Sequence, residues 1–149
     1  MNVNLEVVTI PVSDVDKALN FYRDQLGWRV DTDLDRDEFR IVQMTPTGDG
    51  HTSIVFGRGI PTAEPGSMRH LELVTPDITT TRAEMAERGI DISEVYHGAG
   101  APFFPAARIP GPDPNHTSYA SYASFTDPDG NGWTLQEVTN RLPGREPSD

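Results

Sequence analysis

His70 and Glu72 stand two apart in the strand-like run Arg69–Thr75, so the twofold alternation of an extended chain turns both side chains to one face. A carboxylate raises the basicity of a neighbouring imidazole, and the two can serve as a general acid–base pair. The alternative is a hydrogen-bonded histidine that performs no chemistry. Glu72 in a partly buried setting needs a positive partner: a protonated histidine, an arginine or a basic ligand. A second run, Trp133–Val138, alternates in the same way, with Trp133 and Leu135 on one face and Thr134 and Gln136 on the other. Such a strand separates a core from solvent or from a polar cavity. His97 and His116 bracket a long loop and are expected to be solvent-exposed. No serine-nucleophile motif or phosphate-cradling loop occurs.

The chain of 149 residues is the size of one domain or of two small halves. Zero cysteines exclude a disulfide framework, a thiolate metal site and a thiol nucleophile. A formal net charge of −11 disfavours nucleic acid and anionic membranes and favours solubility or attraction of a cationic small molecule. No apolar run is long enough to span a membrane and no signal peptide is recognisable, so a cytoplasmic location is expected.

These faces need scaffolding. Leu5–Val12 reads as a strand, with Pro11 at its end or at a sheet edge. Ser13 is suited to cap a helix that carries Val15, Ala18, Leu19, Tyr22 and Leu26 at helical spacing and is closed by Gly27. Trp28–Thr32 reads as a strand, Asp33–Glu38 as a charged connection, and Phe39–Met44 and His51–Phe56 as two further strands. After the linker Gly57–Met68 the order restarts: strand Arg69–Thr75, a helix from Asp77 or Thr79 to Gly89, then Ile90–Tyr96 alternating like a strand. Tyr119–Phe125 and Trp133–Val138 flank Asp127–Gly132, a cluster of turn formers that predicts a β-hairpin. An acidic cap, a helix, a terminal glycine and a strand thus recur about 62 residues apart, an internal repeat of a βαβββ unit.

The expected modules are 1–60 and 61–142, followed by a disordered tail at 143–149. The second module carries an insertion at 98–118 with five prolines and the adjacent Phe103 and Phe104. Aromatic residues in so long a loop suggest that it folds over a pocket or onto a partner chain.

The repeat, the motif PVSD (11–14), the helix end FYRDQLGW (21–28) and the hairpin motif DPDGN (127–131) together resemble the vicinal oxygen chelate superfamily of glyoxalases, bleomycin-resistance proteins and extradiol dioxygenases. The resemblance spans about residues 4–140. It implies an α+β fold in which two βαβββ repeats form U-shaped mixed sheets around a pocket. In metal-dependent members the first strand carries a ligand seven residues before the Asp of the VSD motif, which here is Val7. His70 matches the ligand of the second unit, and Thr134 stands where the last strand carries a glutamate. The fourth ligand falls within 51–56, where His51 or Ser53 would occupy it. Two of four positions are lost, whereas stable sites use three or four such ligands. No metal or other cofactor is therefore expected; a divalent ion, if present, would use His70 and His51, with Glu72 and Gln136 as neighbours able to rescue a displaced site. The inward face would comprise Val7, Thr9, His70, Glu72, Thr134 and Gln136, joined by Phe103 and Phe104.

The expected function is metal-independent binding of a cationic or aromatic small molecule, as in bleomycin-resistance-type antibiotic-binding proteins. The alternatives are a glyoxalase- or dioxygenase-like lyase or isomerase, using a rearranged metal site or His70 and Glu72 as acid and base, and an interaction module built on the insertion. A homodimer is expected by analogy with the family.

Overall fold

The computed structural model of the chain describes residues 1–98 and 107–145. The chain divides into two compact units, Met1–Arg69 with Thr126–Gly132 and His70–Phe125 with Trp133–Asp149. Among the described residues no helix is long and apolar enough to cross a membrane.

The first unit runs β1 (Val7–Thr9), α1 (Val15–Asn20), β2 (Arg29–Asp35), β3 (Arg40–Thr45) and β4 (Ser53–Arg58), the expected βαβββ order. Its sheet is ordered β1-β4-β3-β2, with β1 parallel to β4 and the other neighbours antiparallel. Asp14, not Ser13, caps α1, accepting the Lys17 N–H at 3.1 Å. Ser13 instead gives its N–H and hydroxyl to the Asp129 carboxylate. The helix ends in a widened π turn, Phe21–Gln25, before Gly27 reverses the chain at φ 75°. Tyr22, fully buried, packs its ring 5.3 Å from Trp28 and 5.7 Å from Phe56. Val42, Met44 and Phe56 turn to the same buried side.

Two boundaries differ from expectation for a physical reason. The charged segment after Thr32 continues β2 as far as Asp35, because its carboxylates are paired across the sheet: Asp33 with Arg40 at 2.9 Å and Asp35 with Arg58 at 2.8 Å. The strand expected at His51–Phe56 is Ser53–Arg58, which sets Ser53 beside Val7 and leaves His51 in exposed coil.

The second unit runs β5 (Leu71–Thr75), α2 (Ile78–Glu87), β6 (Tyr96–His97), β7 (Ile109–Pro110), β8 (Ser121–Thr126) and β9 (Gly132–Glu137), in a sheet ordered β5-β9-β8-β6-β7. Asp77 caps α2 through the Thr80 N–H, and Gly89 ends it at φ 86°. The strand expected over Ile90–Tyr96 is reduced to Tyr96–His97. Ile90 and Ile92 are buried, so the apolar residues of this stretch do face a core. Ser93 interrupts a regular ladder, because its hydroxyl as well as its backbone bonds Ser124. Part of the insertion is regular: β7 pairs with β6 and adds an edge strand. Phe103 and Phe104 lie outside the described residues. Pro143–Arg145 forms a short 3-10 turn.

Candidate functional site

In the second unit the alternation of β5 is as expected. Leu71 and Leu73 are half-buried on one side, and Glu72 and Val74 are exposed on the other. The parallel register sets Glu72 beside Thr134 and Val74 beside Gln136, so the polar face spans both strands. Gln136 is 2% exposed and donates through Nε2 to the Tyr119 carbonyl at 2.9 Å. That carbonyl also accepts the Tyr122 hydroxyl at 2.8 Å. Tyr122 stacks on Tyr96, its direct partner across β6 and β8, with centroids 5.7 Å apart. The Tyr96 and Ser124 hydroxyls share a 2.6 Å hydrogen bond. Burial pushes the Tyr122 phenol above its ordinary range; a hydrogen bond with Gln136 opposes this, and the Glu72 charge adds to it. Exposed Glu72 therefore shares its sheet face with the buried Gln136, Tyr122 and Tyr96.

His70 does not join this surface through strand alternation. It precedes β5, is exposed, and has φ 54°, in the left-handed region where extended alternation no longer applies.

The first unit presents its own polar face. Val7 and Thr9 are half-buried beside Ser53 and Val55. The Thr45 hydroxyl donates to Asp31, so its oxygen accepts from Ser53 at 2.7 Å. The bonds from Thr45 and then Arg29 hold the Asp31 carboxyl below its usual range. Elsewhere on this unit a cavity of about 610 Å³ lies over the start of α1, where Arg58 is paired with Asp35. Arg40 there spans Asp16 at 2.8 Å and Asp33 at 2.9 Å.

The donor set does not fit a family-type metal. Val7 offers no lone pair, Ser53 and Thr134 offer neutral hydroxyls, and His51 lies off the strand. Among the described residues no group of three or more His, Asp or Glu side chains is placed to hold an ion.

Two histidines expected in open loops have definite partners. His97 lies half-buried in β6 and donates through Nδ1 to the Gly111 carbonyl at 2.7 Å. His116, its side chain 55% exposed, meets the Glu137 carboxylate at 2.9 Å. Glu137 itself went unnoticed in the sequence. Its signal is there: it continues the Trp133, Leu135 face, and a carboxylate on an apolar face requires partners.

Two βαβββ units, each pairing its first and last strands in parallel beneath a capped helix, define the glyoxalase-type α+β class. Comparison with solved structures agrees. TnmS3, described as an antibiotic binding protein from Streptomyces sp. CB03234, is 30% identical with a TM-score of 0.68, over 92% of this chain and 97% of that one. A glyoxalase/bleomycin resistance protein from the same Streptomyces is 32% identical with a TM-score of 0.62, over 87% and 96%. Glyoxalase I of Leishmania major, at 18% identity and a TM-score of 0.57 over 91% and 87%, shares the fold alone. No curated protein matches the sequence. The sequence model of the Glyoxalase/Bleomycin resistance protein/Dioxygenase superfamily matches residues 4–135, and the chain belongs to that superfamily.

Proposed function

We propose that this protein binds a small organic molecule carrying a cationic or aromatic group, without a metal, on the polar faces of its sheets. The feature that carries this reading is that Val7 and Thr134 occupy positions where the family resemblance implies metal ligands, and neither is a donor suited to a divalent ion. The antibiotic binding described for TnmS3, alike over nearly the full length of both chains, supports a binding role for this one. Glu72 supplies the charge that a cation needs, and Thr134 and Gln136 supply neighbouring polar groups, while Val7 and Thr9 stand on a polar face of the first unit's own sheet. The net charge of −11 would raise the local concentration of a cationic ligand. A homodimer is part of the proposal, with a single sedimenting species near twice 16.4 kDa.

The test is calorimetric titration with a panel of antibiotics that includes bleomycin, alongside elemental analysis after incubation with Ni²⁺, Zn²⁺, Mn²⁺ and Fe²⁺. At least one compound should bind at one per chain, and Glu72→Gln should weaken a cationic one by about three- to thirtyfold. Stoichiometric metal that disappears in His70→Ala would overturn the reading in favour of a metalloenzyme. Turnover abolished in His70→Ala without metal would assign the acid–base alternative.

A further inference from the structure

Arg108 is distinguished by what holds it. Arg23, Arg29, Arg40, Arg58, Arg82 and Arg88 each pair with a carboxylate. Arg36 and Arg69 bond backbone carbonyls instead, and among the described residues no carboxylate pairs with Arg108, which is set apart by the ring it covers. Its guanidinium lies 4.1 Å from the centre of the Tyr96 ring. The strand register explains the reach: Tyr96 faces Pro110 across β6 and β7, so Arg108 is the diagonal neighbour on the same side.

The ring beneath is built to be held still. Tyr122 stacks against Tyr96, the Ser124 hydroxyl fixes its phenol oxygen, and Tyr96 is only 9% exposed. A fixed electron-rich face beside the surface that carries Glu72 is a seat for a planar cation. The residue occupying it comes from an exposed position before a two-residue edge strand and makes no ion pair there among the described residues. Such an occupant can be exchanged for another cation at small cost.

We infer that the Tyr96 ring is the cation subsite of the binding face and that Arg108 is a built-in competitor which a ligand's guanidinium or amidine group displaces. The inference rests on the binding reading above and names the chemistry of one part of that site. Arg108 then sets specificity, because only a cation that stacks better than a tethered arginine gains the seat.

The test uses p-aminobenzamidine, a planar cation whose fluorescence responds to an apolar environment, titrated into the full chain. Arg108→Gln should bind the probe about three- to tenfold more tightly than the native chain, and Arg108→Lys should match the native chain. Tyr96→Leu should abolish the gain in the Arg108→Gln background, while Tyr96→Phe, which keeps the ring, should retain it. Equal or weaker binding by Arg108→Gln overturns the proposal, and because Arg108 is exposed this result does not depend on Tyr96→Leu folding. Probe binding with the predicted pattern but no antibiotic binding would sustain the subsite and defeat the antibiotic reading. Antibiotic binding unchanged by Arg108→Gln, with no probe binding to either chain, would defeat the subsite alone.

Discussion

Glu137, 2% exposed at the end of β9, accepts the backbone N–H of Ile78 at 3.0 Å and so satisfies one open donor of the first turn of α2. Its other oxygen takes His116 at 2.9 Å. Replacing it with alanine leaves a buried N–H without an acceptor and a histidine without its carboxylate. Glu137→Ala should lower unfolding stability by about 2–4 kcal/mol, and Glu137→Gln, which keeps an acceptor, by about half of that. His116→Ala should cost about 1 kcal/mol or less, since its side chain is half exposed. Urea denaturation of the three variants checks the order; a His116 effect equal to that of Glu137→Ala would contradict it.

Tyr22 and Asp127 meet across the first unit, the hydroxyl donating to Oδ2 at 2.8 Å. Oδ2 also accepts the Asn131 amide at 2.8 Å, while Oδ1 accepts the backbone N–H groups of Asp129 and Asn131. Asn131 then donates to the Pro11 carbonyl at 2.8 Å, tying the hairpin tip to the strand–helix connection. Asp127→Ala strands several buried donors and should cost about 3–5 kcal/mol, whereas Tyr22→Phe removes one hydrogen bond for about 1–2 kcal/mol. Equilibrium denaturation gives both numbers, and near-equal losses would show that the network is not centred on the carboxylate.

That network marks where sequence reading stopped. The alternation of Leu71 to Val74 and of Trp133 to Gln136 told each side chain's face correctly, because a period of two follows from extended geometry alone. Gly27 and Gly89 were legible for a similarly local reason, since both occupy left-handed positions at helix ends. The DPDGN motif read only as turn chemistry, yet Asp127 and Asn131 are buried by partners more than a hundred positions away. The two-residue displacement of β4 was likewise decided by pairing with β1, which no local pattern encodes. The same contrast holds around the candidate site: the shared face of Glu72, Thr134 and Gln136 was legible from alternation, and the Arg108–Tyr96 contact was not.

Acid should weaken the fold through identifiable carboxylates. Hydrogen bonds from the Thr80 backbone depress Asp77, those from the Thr117 backbone depress Asp113, and Arg40 depresses Asp33. A carboxyl whose folded value lies below its unfolded value of about 4 stabilises the protein above that pH. The contribution disappears as pH falls through the folded value. Relief of the −11 net charge acts in the opposite direction, so a single variant isolates the effect. Asp77→Asn should show a smaller drop in denaturation midpoint between about pH 5 and pH 3 than the native chain. Parallel curves for the two proteins would rule out the contribution.

Tyr122 reports on Glu72 without any ligand. Burial raises its phenol above the ordinary value, the Gln136 hydrogen bond lowers it, and the Glu72 charge raises it. Removing that charge in Glu72→Gln leaves burial unchanged, so the phenol should ionise at lower pH than in the native chain. The reverse follows for Gln136→Leu, which deletes the opposing hydrogen bond and should move ionisation upward. Ultraviolet difference titration of phenolate formation follows one tyrosine when a Tyr122→Phe control is subtracted. A raised folded value also means that this tyrosine's contribution to stability is present below its unfolded value and is lost as pH rises through the folded one. The alkaline loss starts at the unfolded value in both chains and should therefore be smaller in Glu72→Gln, whose folded value lies nearer to it. No movement of Tyr122 in Glu72→Gln would mean that the carboxylate does not share its surface, and with that the acidic half of the proposed binding face would be gone.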